Sequence, residues 1–241
     1  MLILNQPSFL IANAIRNRIN ERFGSKTAIP ASESEIELKI PARYQDQKKR
    51  FLEMVNSLQL GDNPTTKEQR IADLTQQLTD DPDNKNSEIA LEAIGKPALD
   101  TLAQLLDHPD ESVRFHTARC MLNIGDNRAL ATLRNILLDP SSQFRADAID
   151  VIGRNATRTD ARTILTVALS DADIQVRLSA YKLLLRMNSS VINRKLVAGD
   201  FVVDSVISAD PKIIYVYQQE TPRIVLFGSP IYCKKDIFIQ S

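Results

Sequence analysis

Asp107, Asp139 and Asp171 recur at a constant spacing of 32 residues, and each opens a turn followed by a helical phrase. Every phrase contains a hydrophobic residue followed by arginine: Val113-Arg114, Phe144-Arg145 and Val176-Arg177. Another amphipathic segment precedes each one, Lys96 to Leu106, Arg128 to Leu138 and Asp160 to Leu169, so the unit is helix, short turn, helix. Neither helix can hide its apolar stripe alone, and a fixed period in this range means that stacked neighbours complete the core. A more diverged copy comes first, with Lys67 to Leu78 and Ser87 to Ile94 as its helices and Asp80 to Asp83 as its turn. About four helix pairs are enough for a continuous core.

The recurring residues suit such a unit. Pro109 and Pro140 stop the first helix of their pairs, because proline lacks an N–H and fixes φ. The spaced aspartates are expected to accept backbone hydrogen bonds at the start of the second helix, as caps do. Thr117, Ala148 and Ala180 are small enough for close helix approach, and Met121, Ile152 and Leu184 supply bulk one turn later. The pattern resembles short HEAT repeats.

The repeats fill only the middle of a 241-residue chain, long enough for one to three domains. Lysine plus arginine equals aspartate plus glutamate at 30 each, so no global field draws the chain to nucleic acid or an anionic membrane. No apolar run reaches the length of a membrane span, and the first residues show no basic leader or cleavage site. Cys120 and Cys233 are too few for a disulfide framework. Cys120 is expected to be a buried inert thiol, and a bridge to Cys233 requires the last segment to fold back on that repeat.

Residues 1–62 read as a separate α/β unit. Leu2 to Leu4 is a short strand. Ser8 caps a helix whose apolar residues Phe9, Ala12, Ile15, Ile19 and Phe23 recur at three and four, and Gly24 follows at the C-terminal cap. Thr27 to Ala31 and Glu35 to Ile40 are strands, the second alternating Ile36, Leu38 and Ile40 with Glu35, Glu37 and Lys39. Tyr44 to Leu58 returns to helical spacing through Phe51, Leu52, Val55 and Leu58, and Leu58 to Leu60 begins a last strand. The order is βαββαβ, a split sandwich.

Three phrases in this segment, Asn20 to Gly24, Ile36 to Pro41 and Phe51 to Leu58, follow one another in an order and at distances that resemble the bacterial flagellar P-ring protein family. The resemblance covers about a quarter of the chain and contains no catalytic signature. It implies a ring-building subunit of the periplasmic bushing around the flagellar rod, with copies of itself and other basal-body proteins as partners. It also implies export of a full-length protein, so the chain is expected to be an excised piece whose signal lies outside it. The phrase Pro222 to Gly228 is similar to the closing regions of P-ring-like proteins.

From about Val191 β-formers take over. Phe201 to Ser208, Lys212 to Gln219, Arg223 to Cys233 and Asp236 to Gln240 supply three or four strands, and Gln218 to Pro222 turns Ile213 to Tyr217 into Arg223 to Phe227 as a hairpin. The chain is thus α+β and mostly helical. A HEAT-like α-solenoid over residues 63–190 is flanked by the sandwich of residues 1–62 and a β-hairpin segment over residues 191–241.

Chemistry is not written in this chain. His116 and Cys120, at i and i+4, offer two metal ligands without others to complete a site, and no cofactor is expected. Gly-rich phosphate loops, GxSxG and HExxH are absent. Lys48, Lys49 and Arg50 are scattered around a helix, without an aromatic platform or a GxxG clamp for nucleic acid. The leading reading is therefore a structural ring protein, not an enzyme. A second is a general protein-binding scaffold that uses outward polar residues of the second helices, namely Arg119, Asn123, Asp150, Arg154, Lys182 and Arg186. A third, from the repeats alone, is a phycobilin-lyase-like enzyme.

Overall fold

The computed structural model describes residues 1–61, 63–197, 201–218 and 222–229. The chain divides into one unit that ends at Leu133 and a second that begins at Arg134.

The first unit opens with β1 (Leu2–Ile3), α1 (Phe9–Phe23), β2 (Ala28–Pro30) and β3 (Glu35–Leu38). The strands form an antiparallel sheet in the order β1-β3-β2, with Leu2 opposite Ile36 and Ala28 opposite Leu38. Ser8 caps α1 by accepting from the Ile11 amide, and Gly24 closes it at φ 107°, a conformation other residues rarely adopt. The Asn20 side chain donates to the Ala28 carbonyl at 3.0 Å and accepts from the Ala28 amide at 2.8 Å, which ties the helix to β2. Ala12 and Ile19 are buried, whereas Phe9, which shares their spacing, stays 62% exposed.

The stretch read as one helix from Tyr44 is two elements, a 3-10 turn at Ala42–Gln47 and α2 (Lys48–Asn56). It buries Phe51, Met54 and Val55 and leaves Leu52 outside. Phe23 packs edge-on against Tyr44 and Phe51. The strand expected at Leu58 to Leu60 does not form. Arginines bind the backbone here instead: Arg18 Nε donates to the Gln59 carbonyl at 3.1 Å, and Arg70 Nη2 to the carbonyl of Ser57, just before the stretch, at 2.8 Å. The segment is therefore βαββα.

The repeats follow as α3 (Pro64–Asp80) paired with α4 (Lys85–Ile94), and α5 (Leu99–Ala103) paired with α6 (Glu111–Ile124). Next come α7 (Leu130–Leu138), α8 (Arg145–Asn155), α9 (Arg158–Ala168) and α10 (Ile174–Arg186). Thr117, Ala148 and Ala180 are fully buried, as are Met121, Ile152 and Leu184. The aspartates at the 32-residue spacing act differently from the expected caps. Asp139 and Asp171 accept from the Ser141 and Asp173 amides inside the turn, while Asp110 and Asp173 cap α6 and α10.

The arginine of each hydrophobic-arginine pair holds a turn. Arg114 donates to the His108 and Pro109 carbonyls at 2.7 and 2.8 Å. In the second unit, Arg145 donates to the Leu137 carbonyl and pairs with Asp171 of the following turn.

The second unit ends in a four-stranded sheet of β4 (Ile192–Val197), β5 (Phe201–Val206), β6 (Ile213–Tyr217) and β7 (Arg223–Phe227), in the order β4-β5-β7-β6. The expected pairing of β6 with β7 is present from Ile213 opposite Phe227 to Tyr217 opposite Arg223. Residues 219–221 of its turn and the strand expected at 236–240 lie outside the described residues. β4 was not anticipated, because five of its six residues are exposed and it carries no alternation.

Arg177, fully buried on α10, donates to the carbonyls of Asp171, Ala209, Asp210 and Pro211 and so fixes the β5–β6 connection to the helix. Beside it, the Tyr181 hydroxyl donates to Asp204, which also receives both arms of Arg194 at 2.8 Å. Burial and the Asp204 hydrogen bond push the Tyr181 hydroxyl up to about 12.

Arg177→Met keeps the aliphatic stem but leaves these carbonyls without a donor. We expect a loss of about 3 kcal/mol in chemical denaturation, against less than about 0.5 kcal/mol for Lys182→Ala on the exposed face of the same helix.

Candidate functional site

The most unusual chemistry of the first unit lies where residues 1–62 meet the first helix pair. α4 carries Glu88 and Glu92 at i and i+4, one above the other on one face, and both are 0% exposed. Carboxylates are rarely so buried unless paired, and each has partners from two other helices.

From α2, Arg50 reaches both. Its Nη2 lies 2.5 Å from Glu88 Oε1 and 2.5 Å from Glu92 Oε2, with Nε 2.8 Å from the latter. From α6, Arg119 donates both arms to Glu88, and His116 Nδ1 lies 3.2 Å from Glu88 Oε2. Asn123 donates to Glu92 Oε2 at 3.1 Å. Glu92 Oε1 is buried with no hydrogen-bond partner among the described residues.

α1 adds a backbone contact. Arg22 donates to the Glu92 and Ala93 carbonyls at 2.5 and 2.9 Å, placing a cation at the C-terminus of α4, where carbonyls are unsatisfied and the helix dipole is negative. Gly95 makes room for it: φ is 81°, and a Cβ there would stand 2.7 Å from Arg22 Nε. Apolar packing joins the same elements, because Ile89 and Ala93 of α4 share a core with Ala12, Ile19, Ile36, Phe51 and Met54.

The two carboxyls titrate in opposite directions. Burial alone would raise Glu88, but hydrogen bonds from His116 and Arg119 and the charge of Arg50 hold it far below the usual carboxylate range. Burial raises Glu92, and the Arg50 and Asn123 contacts offset only part of this while the Glu88 charge adds to it. Arg50 is held above its ordinary value by the two glutamates, which outweigh its own burial. Cys120 is buried and free, its thiol pushed well up by burial and then by the two carboxylates. That environment makes an unreactive thiol. Cys233 lies outside the described residues.

Among the described residues, no three His, Cys, Asp or Glu side chains gather as metal ligands, and no helix is long and apolar enough to cross a membrane. His116 of the His116–Cys120 pair is engaged with Glu88 and Arg119, the latter at 2.8 Å. The geometry locks three helices on a buried charge cluster.

Two residues expected on an outward contact face belong to this cluster instead. Arg119 is drawn in by Glu88 and also lies over the Phe115 ring, and Asn123 is buried against Glu92. The other four are in the second unit. Asp150 and Arg154 pair along α8, and Lys182 and Arg186 are exposed on α10. Glu88, Glu92, Arg50 and Arg22 were missed in the sequence. The available signal was a pair of glutamates on the apolar side of a helix, which one sequence does not tell apart from a solvated face.

With this junction in view, the two halves it joins can be assigned. Residues 1–72 match the flagellar P-ring protein family. Residues 71–153 match HEAT repeats, so the boundary between the two matches falls inside α3. Both families are structural rather than enzymatic. A search of curated proteins finds no match to the chain. The P-ring-like segment and the first HEAT-like pair therefore meet through Arg50, Arg22 and the shared core.

Removal of one member of the cluster should be costly. Glu88→Ala leaves Arg50 and Arg119 without their main partner and is expected to cost about 3–5 kcal/mol. Glu92 gives a pH signature of defined sign. Its folded pKa lies above its unfolded value, so stability falls as pH rises from the usual carboxylate range through that raised value, then levels off. Glu88, lowered on folding, contributes stability above the usual range that is lost as pH falls toward its depressed value. Calorimetry of Glu92→Gln from about pH 2 to about pH 8 should show the first slope, above the usual carboxylate range, flattened and the second, below it, retained.

Proposed function

We propose that this chain is a structural subunit of the flagellar P ring, the periplasmic bushing around the rod, or of a P-ring-like homologue. The observation that carries the reading is the match of residues 1–72 to that family in a segment whose core continues into the first repeat. In this reading residues 1–62 build the ring, residues 63–190 give it an added protein-binding surface, and residues 191–241 close the array. The partners are copies of the chain itself and other basal-body proteins, with no nucleic acid and no membrane insertion. No catalytic role is assigned. The half-buried Asp150 and the exposed Arg154, Lys182 and Arg186 are the proposed contacts of the added surface.

The HEAT match favours a second reading, a general repeat scaffold unrelated to flagella. Fractionation separates the two. The native full-length protein, followed with an antibody to this chain, is expected to purify with basal bodies from the periplasmic ring fraction. A soluble cytoplasmic pool would instead leave the scaffold reading.

A further inference from the structure

The sheet of the second unit has a side that α10 does not use. Side chains alternate across a strand. Val202, Asp204 and Val206 of β5, with Val225 and Phe227 of β7, are buried on the side toward α10, where Tyr181 meets Asp204 and the Phe227 ring. The opposite side carries Phe201, Val203, Ile224, Leu226, Ile214 and Val216, with Ile214 62% and Val216 57% exposed and the others half-buried. A sheet with one solvated side alternates apolar with polar residues, whereas strands covered on both sides read as continuous apolar runs. Ile213 to Tyr217 and Ile224 to Phe227 are such runs, so the pattern of this sheet calls for a cover on its outer side as well.

Strand register sorts that outer side into cross-strand rows. Lys195, Val203, Ile224 and Val216 form one row, and Asn193, Ser205, Leu226 and Ile214 the next. Lys195 is the one charge in either row, and it lies with Asn193 on the edge strand β4, so the side has an apolar centre and a polar margin, as interfaces do. A half-turn about a line that crosses the strands between the two rows lays each row on the other. Val216 then meets Ile214, Ile224 meets Leu226, and Lys195 meets the uncharged Asn193. The side is complementary to itself, which is what a two-fold contact requires. Strands of five or six residues, four abreast, give a face roughly 15–20 Å on a side, and stacking two such faces buries on the order of 600 Å² from each copy, roughly 1,200 Å² together, which reaches the range of specific interfaces.

We propose that two copies of this chain stack through the outer side of the β4-β5-β7-β6 sheet about this two-fold axis. A sheet face packs on another sheet about 10 Å away with the strands nearly aligned. A second copy offers a sheet of matching size whose charge pattern opposes no like charges. The contact makes closed pairs and does not rest on the ring reading, because it lies in the second unit and pairs form whatever they go on to build.

Sedimentation of the full chain tests the contact, and dimers are expected at micromolar concentration. Ile214→Lys sets a charge against Val216 of the partner subunit at two symmetric places and should weaken self-association about tenfold or more. Mixing it with chains carrying Val216→Glu should restore a heterodimer, because a lysine then meets a glutamate. Asn193→Lys, on the opposite edge strand, is brought against Lys195 of the partner subunit and should weaken association several-fold. Leu196→Lys, on the α10 side and 66% exposed, should leave it unchanged. All four positions are exposed, so thermal unfolding of the variants should match that of the unsubstituted chain. A chain that stays monomeric up to millimolar concentration, or a dimer that Ile214→Lys leaves intact, would overturn the contact. Loss with Ile214→Lys but not with Asn193→Lys would assign the pairing to the β6 edge and overturn the stacked faces as well. The basal-body fractionation reads the ring reading separately from all of these.

Discussion

The buried cluster around Arg50 sets the geometry of the first unit. One guanidinium spans two carboxylates a helical turn apart on α4, and a second, from α6, closes on Glu88 from the other side. Ions taken out of water are tolerated only when each finds several partners, so the three helices must arrive at fixed positions or the cluster is strongly unfavourable. Apolar packing of Ile89 and Ala93 against Phe51 and Ile19 supplies the attraction, and the cluster supplies the register. Arg22 at the end of α4 adds a directional contact that requires Gly95.

Arginine recurs in the array in another role. Arg114, Arg145 and Arg177 occupy matching places after a hydrophobic residue; Arg114 and Arg177 donate to carbonyls of a turn, and Arg145 to the Leu137 carbonyl in the last turn of α7. A turn leaves backbone acceptors unpaired, and a buried fork of donors satisfies several at once. Arg145 reaches Asp171 in the following turn, so this contact also couples successive repeats. Arg177 has no further repeat to meet. The carbonyls of Ala209, Asp210 and Pro211 take its donors instead, and the array ends on a sheet rather than on an exposed apolar face. Stacked repeats need such a covering at their ends.

Much of this architecture is legible in the sequence. The period of 32 locates the helix pairs, the Ser8 and Gly24 signals bound α1, and the alternation of Glu35 to Ile40 shows which side of β3 is buried. The failures have physical causes. A strand at Leu58 to Leu60 follows from β-propensity, but Arg18 comes from α1 to occupy the Gln59 carbonyl and Arg70 from α3 to occupy that of Ser57 just before it. β4 lacks alternation because it is an exposed edge. Arg119 and Asn123 look outward on helical periodicity and polarity, and only the tertiary placement of Glu88 and Glu92 turns them inward. Arg50 lies in a basic run whose neighbour Lys49 is solvated, and one position of rotation on α2 separates a surface charge from the centre of the unit.

The central claim is that the P-ring-like segment and the first HEAT-like pair are one cooperative body joined through Arg50. Native-state hydrogen exchange of the full chain tests it most directly. The account predicts that amides of α1, α2, α4 and α6 exchange through a common opening with the same free energy, and that Arg50→Met lowers protection in all four helices by the same amount. Retained protection in α1 and α2 while α4 and α6 open separately would contradict it, and the ring-building segment and the repeats would then be independent pieces.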